Sequence, residues 1–416
     1  MTKKGSQMSW YNNLSVTEKR TFISTAGGWA MDALDFMVFT FVITTLITIF
    51  HITSAQAGML ATITLLFSAI GGWIAGILAD RFGRVRILQV SILWFAACTT
   101  LIGFAQNFDQ IFALRALQGL GFGGEWAVGS VLMGEIVRTE FRGRAVGTVQ
   151  SAWSIGWAIA AIVYTVLFSV LPAHYAWRAL FWVGALPALL VLYIRRGVPE
   201  PEIFERTRKQ EAASGKKTSL WAIFSPAVLK TTVLSALLCT GVQGGYYAIT
   251  TWLPTFLKTV RHLSVFGTGS YLLVVILGSF IGYLVGAWLT DRLGRRANLL
   301  IFAVLSGISI YVYTQLQLTN EQMLFLGFPL GFAASGIFSG MGPYLTELFP
   351  SAMRATGQGF TYNFGRGLGA LFPTLVGYLA KSYGLGAAIG MFAGGAYLVV
   401  VLTVLLLPET KGREIS

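Results

Sequence analysis

The amino-acid sequence predicts an all-α membrane protein with twelve transmembrane helices in two pseudo-symmetric six-helix bundles. Three observations carry that prediction. Of 416 residues, 55% are hydrophobic and 11% charged, with a mean hydropathy of +0.67; soluble globular domains carry about 25% charged residues. Apolar runs of about 20 residues, the length that crosses roughly 30 Å of hydrocarbon as a helix, can be placed twelve times. A loop motif of the first half returns in the second.

The first six runs lie near residues 22–50, 55–79, 87–105, 110–137, 145–171 and 178–194. Residues 1–21 precede them as an expected cytoplasmic tail holding Lys3, Lys4, Lys19 and Arg20. The apolar run behind these cations is too long for a signal-peptide core and has no small-residue cleavage site, so it is expected to stay as the first span. The fourth run is chemically unusual: Arg115-Ala-Leu-Gln118-Gly-Leu-Gly-Phe122-Gly-Gly-Glu125-Trp126 sets two opposite charges in lipid-length sequence. An ionisable group at mid-membrane costs about 2.5–3.5 kcal/mol even on a mild insertion scale, so it normally faces a partner or a water-filled path. At about 100° per residue, Arg115, Gln118, Phe122 and Glu125 share a sector of roughly 80°. The glycines between them suit close helix packing, since no strand precedes them to make a dinucleotide site. Residues 195–228, with Pro199, Pro201 and mixed charges, read as a cytoplasmic linker. Six more runs follow near 229–257, 266–290, 297–317, 322–346, 355–380 and 385–407, before a cytoplasmic tail at 408–416. The two bundles are thus expected at 22–194 and 229–407.

The repeat ties the halves together. Gly76-Ile-Leu-Ala-Asp80-Arg81-Phe-Gly83-Arg84 recurs as Gly286-Ala-Trp-Leu-Thr-Asp291-Arg292-Leu-Gly294-Arg295, and Glu135, Arg142 and Gly147 recur as Glu347, Arg354 and Gly359, displaced by 212 positions. Duplication of a six-helix unit in parallel orientation follows. The net charge of +13 has a matching explanation. All but six of the Lys and Arg fall in the tails or in alternate loops, which is the positive-inside pattern rather than a nucleic-acid surface, and it predicts cytoplasmic termini. Cys98 and Cys239 both lie in apolar runs and suggest neither disulfide nor metal.

The Gly-x-x-x-Asp-Arg-x-Gly-Arg loop, its copy after the eighth span, and the Arg-x-x-Gln-Gly of the fourth span resemble the major facilitator superfamily. Trp10 to Leu14, Asp35-Phe36, Gly123-Gly-Glu-Trp126, Trp177-Arg-Ala-Leu-Phe and Gly359-Phe-Thr-Tyr-Asn363 are most similar to the proton symporters of sialate and of lactate or pyruvate. The tail Leu407-Pro-Glu-Thr-Lys411-Gly is shared with sugar porters and aromatic-acid symporters, and Arg366 resembles the aromatic-acid group. The resemblance implies that the first, fourth, seventh and tenth spans line a central cavity in a carrier that works by alternating access.

Within that frame, the buried polar residues acquire expected roles. Asp32 and Asp35 lie near mid-membrane in the first span, and Arg115 enters the fourth at similar depth, so an ion pair between these spans is expected; its alternative to proton coupling is a static bridge holding the two helices in register. Glu125 has no basic counterpart, since the repeat offset lands on Ile337. Asp32, Asp35 and Glu125 are therefore the candidate proton carriers. Arg366, flanked by glycines near the midplane, offers a planar fork to a carboxylate. With Arg115 it is the candidate anion clamp, supported by Trp153, Ser154, Gln243, Tyr246, Tyr247, Tyr362 and Asn363. Asp80, Arg81, Arg84, Asp291, Arg292 and Arg295, with the pairs Glu135 and Arg144 and Glu347 and Arg354, sit at cytoplasmic helix ends and are expected to latch and release the halves; topology marking by positive charge is their simpler role.

No phosphate loop, nucleophile motif or His-Glu-x-x-His pair occurs, so neither ATP-driven transport nor enzymatic chemistry is indicated, and no cofactor is called for. The sequence predicts a proton-coupled carrier of a small organic anion such as lactate, pyruvate or sialate, with an aromatic acid or short dicarboxylate as the alternative. It is expected to act in the plasma membrane as a monomer. A drug exporter or a membrane sensor on the same fold are the rivals, disfavoured by two buried arginines and by the lack of a sizeable cytoplasmic domain.

Overall fold

The computed structural model describes residues 9–137, 142–186, 189, 193–194, 197–200, 223–349 and 354–411. The first half contains α1 (Val16–Phe50), α2 (Ser54–Phe82), α3 (Arg84–Ile102), α4 (Phe108–Ile136), α5 (Arg142–Val170) and α6 (Ala173–Trp182). The second contains α7 (Leu229–Thr259), α8 (Val265–Leu293), α9 (Arg295–Gln315), α10 (Asn320–Gly336), α11 (Phe338–Leu348), α12 (Arg354–Gly369), α13 (Leu371–Tyr383) and α14 (Leu385–Leu406). α10 with α11 makes the tenth span, and α12 with α13 the eleventh. Among the described residues, eight stretches, in α1, α2, α3, α5, α8, α9, α10–α11 and α14, are long and apolar enough to cross a membrane. The helices outside that set include α4, α7 and α12, which carry Arg115, Glu125, Gln243 and Arg366.

Local chemistry sets the helix starts. α1 begins at Val16, before the apolar run expected from residue 22, because Ser15 and Glu18 form a capping box that satisfies the first free N–H groups. Thr53 with Gln56 and Thr319 with Gln322 do the same for α2 and α10. The tight α2–α3 and α8–α9 junctions pass through Gly83 and Gly294, with φ of 106° and 104°, where a side chain would be strained.

Packing repeats between the halves. α2 packs on α4 and α1 on α5, as α8 packs on α10 and α7 on α12; the halves meet through α1 with α7, α5 with α8, and α2 with α12 and α13. At the end away from the termini this interface is tight. Thr62 and Thr374 share a hydrogen bond of 2.6 Å, and Lys258 Nζ donates to Thr44 Oγ1 at 2.7 Å while lying 5.5 Å from the Tyr164 ring centroid. A Cβ on Gly58 would stand 2.5 Å from the Pro373 carbonyl oxygen, so the α2 and α13 backbones approach in a way only a small residue allows.

Candidate functional site

The centre of the interface is built from α1, α4, α5, α7 and α12. Arg366 on α12 is 1% exposed. Its Nε donates to Gln243 Oε1 at 3.4 Å, and Gln243 Nε2 in turn donates to the Tyr362 carbonyl at 2.9 Å, tying α7 to α12. The guanidinium lies over the rings of Phe122 at 5.5 Å and Tyr362 at 5.3 Å, and the side chains of Tyr247 and Tyr362 make polar contact with it. Nη1 is buried and has no hydrogen-bond partner among the described residues. A cationic fork held by π faces and neutral dipoles, with one donor unspent, is arranged to receive a carboxylate.

Asp32 on α1 and Glu125 on α4 form the other half of this centre. Both are buried, and their side chains face each other closely enough to hydrogen-bond. Neither Asp32 oxygen meets a donor among the described residues. Two carboxyl groups bond to one another only when one carries a proton, so the pair has the geometry to hold a proton between them. Glu125 Oε1 rests against Gly28 of α1, where any Cβ would collide with it. The Arg366 charge is near enough to act on both Asp32 and Glu125.

Aromatic side chains wall the space between. Phe36 stacks on Phe122 at 6.0 Å with 15° between the planes, and Phe36 also meets Tyr247 at 5.7 Å across the interface. Trp153 contacts Trp29, and its Nε1 donates to the Tyr246 hydroxyl at 2.7 Å, joining α5 to α7. Ser154, buried beside Trp153, has a hydroxyl without a partner among the described residues. Asn363 is half-buried and bonds the Gly359 carbonyl of its own helix at 3.0 Å.

Arg115 and Asp35 belong to a different network, inside the first half. The expected direct ion pair is replaced by a relay through Gln118, which accepts from Arg115 Nη1 at 2.8 Å and donates to Asp35 Oδ2 at 2.5 Å and to Thr99 Oγ1 at 2.7 Å. Arg115 also donates to the Leu60 carbonyl and lies 4.1 Å from the Phe39 ring centroid. The face shared by Arg115 and Gln118 was readable from helical spacing; that it turns toward α2 and α3 was not.

At the end carrying the termini, Arg295 and Glu347 form a two-pronged pair at 2.7 and 3.0 Å, and Thr410 Oγ1 adds 2.6 Å to the same carboxylate. Glu347 thus has Arg295 as partner. The side chains of Asp80, Arg81, Glu135, Arg144, Asp291 and Arg354 lie outside the described residues. Arg84 Nη1 donates to the Ala79 carbonyl, and Arg292 lies over the Trp288 ring. Two residues to which the sequence assigned no role organise this end. Glu200 accepts from the backbone N–H groups of Arg84, Val85 and Arg86 at the start of α3, and Glu409 from those of Arg295 and Arg296 at the start of α9. The signal for both was present as a repeated Pro-Glu pair, Pro199-Glu200 and Pro408-Glu409.

A paired set of helix bundles with ionisable groups buried where the halves meet is the build of a solute carrier. A profile of the Major Facilitator Superfamily matches residues 25–288 and 272–415, and the chain belongs to that superfamily, as its loop motifs implied. It is a multi-pass membrane transporter and not an enzyme. A protein of Cupriavidus pinatubonensis named "Probable 4-methylmuconolactone transporter" is 44% identical over 98% of this chain and 94% of its own length. The niacin transporter NiaP of Acinetobacter baylyi is 31% identical over 94% of this chain and 93% of its own. Among solved structures, the proton:xylose symporter XylE, bound to 6-bromo-6-deoxy-D-glucose, shares the fold with a TM-score of 0.74 at 19% identity, covering 96% of this chain and 98% of that one.

Proposed function

We propose that this protein takes up a planar, unsaturated or aromatic carboxylic acid together with a proton. The observation that carries the reading is the buried Arg366 guanidinium, which has an unspent Nη1 and is set among Phe122, Tyr247 and Tyr362. Arg366 binds the carboxylate, Gln243 and Tyr247 orient it, and the rings of Phe36, Phe122 and Trp153 receive the flat body. Asp32 and Glu125 carry the proton. An anion at Arg366 neutralises the charge that favours their ionised form, so proton and anion are taken up together. Arg115, Gln118 and Asp35 keep α1, α2, α3 and α4 in register, and Asp35 serves as a second acid on the proton path.

The aromatic walls narrow the expected class of acid. A heavily hydroxylated acid such as sialate needs many polar partners, and stacked rings supply few. Niacin is an aromatic carboxylate and 4-methylmuconolactone an unsaturated cyclic acid; the names of these relatives support the same class. The basic loops support cytoplasmic termini, and the closed far end then faces outward. We place the carrier in the plasma membrane, acting as a monomer of two bundles, 22–194 and 229–407, joined by a linker.

Internal acidification of proteoliposomes on adding benzoate, nicotinate, lactate or sialate tests this, with protein-free liposomes subtracted. The ring acids should acidify the lumen and the others should not. Arg366→Lys should keep the charge but lose the fork, raising KM about 30-fold, as expected for roughly 2 kcal/mol of charge-assisted hydrogen bonding. Unchanged KM in that variant, or acidification by lactate alone, sinks the reading.

A further inference from the structure

A small cavity lies where α5 of the first half meets α7, α8 and α10 of the second, away from the groups given roles above. Trp157, Tyr246, Leu253, Val275, Leu330 and Ala334 form its main walls, and its free volume suits one group of about water size. The polar neighbours do not turn toward it. Thr250 donates its hydroxyl to the Tyr246 carbonyl at 2.7 Å and Ser279 donates to the Gly331 carbonyl at 3.3 Å, while Ser335 Oγ and Trp157 Nε1, without a hydrogen-bond partner among the described residues, present no polar surface to the cavity. A space of that size walled by hydrocarbon and ring faces disfavours water and rewards an apolar group.

Its position links it to the anion site. Tyr246 forms one wall, and its hydroxyl holds Trp153 of the aromatic lining; the adjacent Tyr247 touches the Arg366 guanidinium. Trp157 alone brings a wall from the first half, so the cavity is complete only while α5 packs on α8. It therefore belongs to this arrangement of the two halves, as a subsite at a moving interface would.

We infer that this cavity is a specificity pocket for a single methyl-sized alkyl substituent on the ring of the transported acid. The inference rests on the carboxylate reading above. With the carboxylate on Arg366 and the ring against Trp153 and Tyr246, the substituent enters between Leu253, Leu330 and Ala334. A hydroxyl of the same size would meet no polar surface of the cavity.

The test is competition binding to the purified full-length protein by benzoate and by its 3- and 4-methyl, 3- and 4-hydroxy and 4-ethyl derivatives. One methylbenzoate should bind about fivefold more tightly than benzoate, the gain expected from burying one methyl group, and the matching hydroxybenzoate should bind more weakly than the methyl acid by more than that factor. Ala334→Val, which fills the cavity, should bring the methyl-to-hydrogen ratio to about one, since the methyl gain is then lost. Leu330→Ala, which enlarges it, should move the preference to ethylbenzoate; this second variant reads the pocket even where Ala334→Val folds poorly. Ratios that stay the same in both variants, or a wild-type preference for hydroxyl over methyl, overturn the pocket while leaving the anion site standing. Failure of all these acids to bind overturns the carboxylate reading and the pocket with it.

Discussion

At the scale of single residues, the division of labour follows from how each charge is compensated. Arg366 keeps Nη1 unspent where the two halves meet; Arg115 keeps Nη2 unspent as well, but inside the first half, and Glu347 and Arg295 satisfy each other. A buried charge with every partner in place is expensive to disturb and suits structure; one with capacity left over suits binding. Glu125 provides the test on the acidic side. Glu125→Gln leaves Asp32 without a partner able to share a proton, so it should retain exchange of labelled acid across the membrane while losing accumulation driven by a pH gradient. Counterflow and gradient-driven uptake, measured on the same vesicles, separate the two; accumulation that persists in this variant removes the pair from the coupling path. Helical spacing made both residues legible, since mid-membrane charge is visible in any hydropathy reading. Their partners were not legible. A helical face tells which residues travel together but not which neighbouring helix they meet, and so Gln118, lying between Arg115 and Asp35, had to be seen in three dimensions.

At the scale of elements, helix ends repay inspection as much as helix middles. α3 and α9 each begin immediately after a glycine of positive φ and are each capped by a glutamate from the segment that leaves its own bundle. The carboxylate meets the first N–H groups and the positive end of the helix dipole. For Glu409, burial raises the pKa, but hydrogen bonds from the N–H groups of Lys411, Arg295, Arg296 and Thr410 outweigh it and hold the group below the ordinary glutamate value. A depressed pKa contributes stability that is present above the unfolded-state value and is lost as pH falls through the folded one. Thermal unfolding in detergent should therefore show Glu409→Gln destabilised near neutrality, with the difference from wild type shrinking as pH drops below the usual glutamate range; a constant difference across that range would contradict the cap. Helix positions themselves were readable from apolar run length. The earlier start of α1 was set instead by the Ser15–Glu18 capping box, a polar signal that hydropathy ignores. The glutamate caps join residues more than a hundred positions apart, beyond the reach of local pattern.

At the scale of the whole molecule, the repeat visible in the loops becomes a pattern of matched helix pairs, and function enters where the two copies differ. Glu125 has Ile337 as its repeat counterpart and Arg366 lies in the second half, so acid and base come from opposite bundles and meet only at the interface. The three groups also imply an electrical property. Under the proposed proton sharing, Asp32 and Glu125 carry a single negative charge, which Arg366 cancels; adding one anion and one further proton leaves the sum unchanged. Arg115 and Asp35 cancel separately once Asp35 has passed on any proton it takes. Each transit of the moving site, empty or loaded, should thus displace no net charge, although every elementary charge crossing the bilayer would gain or lose about 2.3 kcal/mol per 100 mV. Clamping the vesicle potential with potassium and valinomycin should leave the uptake rate unaltered at fixed pH gradient, and a rate that rises with interior-negative voltage would mean more protons than anions. A carrier balanced in this way is indifferent to voltage and draws on acidity alone.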